Sequence, residues 1–124
     1  MKLVDTSAWI HSLRPDGDKT VATRVRAALE SGDAAWCAMV RLELWNGARG
    51  AQEKRVLRDM ETTLPDLPMT SEVWQLAVDW AKAVRAKGLT IPATDLLIAA
   101  CARHHGAELE HADSHFDQLT TERI

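Results

Sequence analysis

The chain has 124 residues, of which 27% are charged and 46% hydrophobic, with a formal net charge of −3. These are globular values at a length that fits one domain, residues 1–124, with a sizeable core; they exclude disordered, collagen-like and fibrous classes. The slightly acidic balance gives no global basic footprint, so an anionic ligand has to be attracted locally or through a cation. No apolar run is long enough to span a bilayer, and residues 1–5 lead straight into structure without a signal peptide, which predicts a cytoplasmic protein with no membrane partner. Cys37 and Cys101 have apolar neighbours and no pattern, the signature of reduced core thiols rather than of a disulfide framework or thiol metal site.

In chain order, Leu3 and Val4 form a very short apolar run ending in Asp5-Thr6-Ser7, a strand feeding a polar turn. Residues 8–13 follow as a short helix with Ser7 as cap, ended by Pro15-Asp16-Gly17. Residues 18–31 form an amphipathic helix with Val21, Val25, Ala28 and Leu29 on its apolar side, closed by Gly32. Residues 34–38 make a buried second strand. Residues 39–46 have helical composition, place Glu43 mid-helix and stop at Gly47. Residues 51–62 are a charged helix with Val56, Leu57 and Met60 as its stripe and Glu53 among the water-facing positions. A short third strand falls in residues 64–69, restricted to an edge by two prolines.

The clearest helix spans residues 71–87, where Val73, Leu76, Ala77, Trp80, Ala81 and Val84 keep the 3, 4, 3 spacing and Gly88 follows. The next helix is almost wholly apolar from Leu96 to Ala102, so it should be buried on several sides. Thr94 is placed to cap it, Asp95 lies in its first turn where the helix dipole favours an anion, and Gly106 is its stop. A lone Asp there reads first as a helix-end acid. Residues 107–111 form a final, poorly hydrophobic strand. Short strands alternating with longer helices, without hairpin dipeptides, predict a parallel sheet covered by helices.

Asp5 and Asp113 follow predicted strands, Asp95 opens a helix after a connection, and Glu43 lies in the first turns after the second strand. Ligands of open parallel sheets gather at that rim. Two such carboxylates about 4 Å apart repel by roughly 4 kcal/mol at an effective dielectric near 20, so a convergent group takes up protons or recruits a cation. All-oxygen ligation suits Mg²⁺ or Mn²⁺, which coordinate substrate phosphate and activate water.

Val4-Asp5-Thr6-Ser7-Ala8, Arg41-Leu42-Glu43-Leu44 with Gly47-Ala48-Arg49, residues 91–95 with Leu97-Ile98-Ala99-Ala100, and residues 113–116 occur in the order of the motifs of PIN-domain ribonucleases. The whole chain resembles that family, in its VapC type, the toxin half of toxin–antitoxin pairs. The resemblance implies a three-layer α/β/α fold with a central parallel sheet of four or five strands. It implies a catalytic Mg²⁺ or Mn²⁺ bound by Asp5, Glu43, Asp95 and Asp113, with Thr6 or Ser7 supporting the site by hydrogen bonding. It also implies cleavage of single-stranded RNA regions, a homodimer, and inhibition by a cognate antitoxin laid over the cleft. His115 departs from the pattern, since it stands two residues after Asp113 where the family often carries another acid. Glu110-His111 also replaces more usual apolar and hydroxyl residues, and an edge strand after Leu119 is short or absent.

Other classes compete. His104, His105, His111 and His115 raise a zinc site, against which stand the missing cysteine pair and the interruption at Asp113; surface histidines are the preferred reading. Trp9 and Trp45, near the acids, are candidates for base stacking, and Trp80 for the core. Arg14, Arg41 and Arg49 are candidate phosphate contacts. Asp5-Thr6-Ser7 faintly suggests an aspartyl-phosphate hydrolase, which would want a second Asp where Ser7 stands. A non-catalytic RNA- or protein-binding module is disfavoured, because a pure binder gains nothing from mutual repulsion among its acids.

Overall fold

Leu3 and Val4, both fully buried, lie at the centre of the sheet. The computed structural model describes residues 1–121, with side chains through Leu119. Within them β1 (Lys2–Val4), α1 (Thr6–Leu13), α2 (Lys19–Glu30), β2 (Ala34–Ala35), α3 (Ala38–Asn46), α4 (Gly50–Thr63), α5 (Ser71–Ala86), α6 (Ala93–His104), β3 (Glu108–Glu110) and α7 (Ser114–Thr121) follow in order. The sheet order is β2-β1-β3, and both pairings are parallel, with Leu3 opposite Ala35 on one side and Leu109 on the other.

This order sets the layers. The chain moves from β1 to β2 through α1 and α2, then back across β1 to β3 through α3 to α6. Right-handed crossovers in opposite directions put their helices on opposite faces. The α1–α2 pair and the α5–α6 pair are the two most extensively packed helix pairs, one in each crossover. The fold is therefore α/β/α, as the sequence implies. Trp9, Trp36, Leu57 and Ile98 fill its core with almost no exposure.

Several local expectations change. Among the described residues the four or five strands reduce to three, plus a single parallel bridge between Trp36 and Asp66 in the segment expected to be a strand. Pro65 and Pro68 lack the amide hydrogens that a longer ladder needs, so the segment pairs only through Trp36 N to Pro65 O and Leu67 N to Trp36 O. The cap of α1 is Asp5, not Ser7, and Asp18 caps α2 from just outside it. Leu29 is 43% exposed, because Val21, Val25 and Ala28 already define the buried stripe and Leu29 sits one residue, about 100°, around the helix. Pro92 precedes α6 and Thr94 makes no capping bond. Glu53 is tucked against Arg14 at 3.5 Å instead of facing water. The helix α7 has no counterpart among the expected elements, and any strand within residues 122–124 lies outside the described residues. Gly106 does end α6, with φ 65° and its amide bonded to Arg103 O at 3.2 Å.

Candidate active site

The chain leaves β1 directly into Asp5, whose amide donates to Glu110 O at 2.9 Å. That bond ties the carboxyl ends of β1 and β3 together. Asp5 is 4% exposed, and its Oδ2 accepts both Ser7 N at 3.0 Å and Ser7 Oγ at 2.6 Å. The carboxylate thus caps α1 and is locked in one orientation by the helix it starts. Ser7 Oγ in turn accepts Ala112 N at 2.9 Å, which fastens the loop after β3 to the same point. Thr6, next along, donates its hydroxyl to Glu43 Oε1 at 2.8 Å and so sets the rotamer of the acid presented from α3.

Asp95 enters from the first turn of α6. The helix behind it is buried residue after residue from Asp95 to Ala102, so the direction of this carboxylate is fixed by packing. Asp113 precedes α7, where its Oδ1 accepts His115 N at 2.9 Å and its backbone oxygen accepts Phe116 N. His115 Nδ1 lies 3.0 Å from Asp95 Oδ2 and 3.1 Å from Asp113 Oδ1. One atom each from Asp95, Asp113 and His115 fall within 4.8 Å of one another.

Electrostatics bind the acids into one group. Burial is the main cause that pushes Asp95 up to about 6, the charges of Asp113 and Asp5 add to it, and the hydrogen bond from His115 opposes it. Burial likewise raises Asp5, partly offset by Ser7 and reinforced by Asp113. Glu43 is raised by burial first, lowered by the Thr6 hydroxyl and raised again by Asp5. The charges of Asp113 and Asp5 thus act on Asp95, that of Asp113 on Asp5 and that of Asp5 on Glu43. The compact group with His115 holds Asp95 and Asp113, and neither Asp5 nor Glu43 is part of it.

The remaining candidates divide. Trp9 is 1% exposed and belongs to the core, which removes it as a stacking surface; Trp45 is half-buried against the same core. Arg14 pairs with Glu53 and Arg41 with Asp66, so neither is an unengaged phosphate contact, and Arg49 is exposed at the start of α4. The histidines do not gather. His104 and His105 pack edge to face at the far end of α6, where His105 Nε2 meets Pro68 O at 2.6 Å. His111 accepts Asp113 N on Nδ1 at 3.3 Å and packs at a tilt against the Phe116 ring, shaping the loop that presents Asp113. His115 was grouped with surface histidines and instead sits among the acids. Its signal in the sequence was the place it occupies, two residues past Asp113.

The PIN-domain family model matches residues 2–121. The chain belongs to the PIN-domain VapC ribonuclease family. It is 34% identical to a VapC ribonuclease of Mycobacterium bovis over 123 residues, covering 96% of this chain and 91% of the relative. Two solved structures share the PIN fold. One is VapBC-1 from nontypeable Haemophilus influenzae, with TM-score 0.74, 24% identity and coverage of 97% of this chain and 92% of that one. The other is VapBC-5 from Mycobacterium tuberculosis, described as a member of the VapBC family of toxin–antitoxin systems, with TM-score 0.68, 19% identity and coverage of 95% and 90%. The PIN fold accounts for the geometry above, in which strand ends and a helix start converge at one edge of a parallel sheet. No described helix is long and apolar enough to cross a membrane.

Proposed function

We propose that this protein is a Mg²⁺- or Mn²⁺-dependent endoribonuclease toxin that hydrolyses phosphodiester bonds in single-stranded RNA, acts in the cytoplasm as a homodimer and is held in check by a cognate antitoxin. The observation that carries the proposal is the electrostatically coupled set of Asp5, Asp95 and Asp113, with Glu43 attached, at the carboxyl edge of a PIN-fold sheet. Membership of the VapC ribonuclease family supports both the RNA substrate and the antitoxin.

A divalent cation fits this donor set. Asp5 and Asp95 are 4% and 8% exposed, both have their acidity weakened by burial and by neighbouring negative charge, and a hard cation relieves both penalties at once. In this reading Asp5, Asp95, Asp113 and Glu43 hold it. When bound, it supplies Lewis-acid stabilisation of a phosphoryl oxygen and a water acidic enough to be deprotonated near neutral pH.

The chain's own contribution is to hold the four acids where that chemistry needs them. Ser7 fixes Asp5 through two bonds and Thr6 fixes Glu43, the supporting roles implied by the resemblance. Glu43, half-buried, held by the Thr6 hydroxyl and raised by burial, is suited to accept a proton from a water at the edge of the site. The RNA phosphate brings negative charge to a chain of net −3, so its approach depends on neutralisation of the acids.

Incubation of purified protein with single-stranded RNA tests the proposal. Cleavage is expected with Mn²⁺ or Mg²⁺, is abolished by chelator, and is abolished in Asp5→Asn and Asp95→Asn. Cleavage that survives both substitutions would refute the carboxylate mechanism.

A further inference from the structure

His115 is not explained by four carboxylates. It begins the first turn of α7 and turns its ring back toward the N-terminus of α6, so that Nδ1 meets Asp95 Oδ2 at 3.0 Å and Asp113 Oδ1 at 3.1 Å. At those separations the ring nitrogen and an oxygen of each carboxylate sit side by side, close enough for one small divalent ion to be shared among them. The three residues also converge, each offering one donor atom within 4.8 Å of the other two. The backbone locks the arrangement, because His115 N donates to the same Asp113 Oδ1 at 2.9 Å, making residues 113–115 a closed unit that presents one oxygen and one nitrogen together. His111 takes no part in this convergence: its Nδ1 is occupied by Asp113 N and its Nε2 faces Asp117 at 3.6 Å.

From this geometry we infer that His115 Nδ1 is itself a metal ligand, giving the Asp95–Asp113–His115 corner of the site a mixed oxygen–nitrogen character that favours Mn²⁺ and later first-row divalent ions over Mg²⁺. The inference rests on the metal-dependent reading proposed above and adds to it the identity of a ligand and a selectivity. The chemistry is that of donor softness. Imidazole nitrogen binds Mn²⁺ and its heavier neighbours in the Irving–Williams order, whereas Mg²⁺ keeps oxygen ligands and gives up its water reluctantly. The ring needs no large movement to change roles. Nδ1 already lies within hydrogen-bond reach of both carboxylates, and in the tautomer protonated on Nε2 its lone pair is free to serve as a donor beside their oxygens.

The test uses Mn²⁺ and Mg²⁺ alone, with no RNA, on the wild-type protein and on His115→Asp, His115→Gln and His111→Gln, each checked for native circular dichroism. Pulsed electron paramagnetic resonance of bound Mn²⁺ is expected to show hyperfine coupling to an imidazole nitrogen in wild type and in His111→Gln, and none in either His115 variant. Calorimetric titration is expected to show the Mn²⁺-to-Mg²⁺ affinity ratio falling on the order of tenfold or more in His115→Asp, which returns an oxygen donor to the position. Mn²⁺ bound without nitrogen coupling, or a ratio unchanged in His115→Asp, overturns the inference and leaves the carboxylate site standing. Failure of wild type to bind Mn²⁺ at all overturns the metal reading beneath it. A coupling lost in His111→Gln and kept in the His115 variants assigns the nitrogen to the wrong residue and also overturns it.

Discussion

Replacing Asp95 with Asn should stabilise the metal-free protein while disabling it. In the fold this carboxyl is pushed from the usual 3.8 up to about 6, first by burial and then by the charges of Asp113 and Asp5. Because the folded value is raised, the acid contributes most to stability when protonated, below about 4. That contribution is lost as pH rises through about 6. At pH 7.5 the cost is about 2 to 3 kcal/mol, at roughly 1.4 kcal/mol per unit and allowing for the solvent that reaches the site. An amide avoids the charge but is itself partly desolvated, at about 1 kcal/mol. The net gain of about 1 to 2 kcal/mol corresponds to a melting point roughly 3 to 8 °C higher for a chain of this size. Melting curves in chelator at pH 7.5 measure it. In excess Mn²⁺ the order should reverse, since a ligand present at about 100 times its Kd stabilises wild type by about 2.7 kcal/mol and the variant binds it poorly. Asp95→Asn melting at or below wild type in chelator would refute the argument. So would an advantage that failed to shrink between pH 6 and pH 4.

The residues around the acids should divide between activity and stability. Thr6→Val preserves shape but removes the hydroxyl that holds Glu43 Oε1 at 2.8 Å. Its metal-dependent RNA cleavage is expected to fall about 10- to 100-fold, measured as kcat/KM, with the melting point within a few degrees of wild type, as for other outer-sphere partners. Ser7→Ala loses two linked contacts, to Asp5 Oδ2 at 2.6 Å and from Ala112 N at 2.9 Å. It should cost about 1 to 2 kcal/mol in denaturant titrations as well as activity, because it loosens the loop that carries Asp113.

How much of this was legible in the sequence depends on the range over which each feature is determined. The apolar runs at Leu3-Val4 and from Leu96 to Ala102 declare burial through their own composition, and the structure buries both. The positions of Asp5 and Asp95 at the ends of those runs then follow from parallel-sheet topology. Caps are decided within a few residues yet were misassigned at α1, because Asp5 and Ser7 are both good capping types and only geometry says which carboxyl or hydroxyl reaches the free amides. The bridge at Asp66 was obscure for the opposite reason: whether a proline-flanked segment pairs depends on Trp36, far away in sequence.

His115 was the least legible, since its ring meets Asp95 across 20 residues and nothing in the intervening chain records that α7 turns back over α6. That contact also gives α7 a second function. A helix carrying Phe116 and Leu119 into the core is anchored by them, so the same burial that adds stability aims the imidazole at two carboxylates. Packing and chemistry share one short helix here. Substitutions at Phe116 should therefore disturb the site through its geometry even though Phe116 carries no polar group that could reach it.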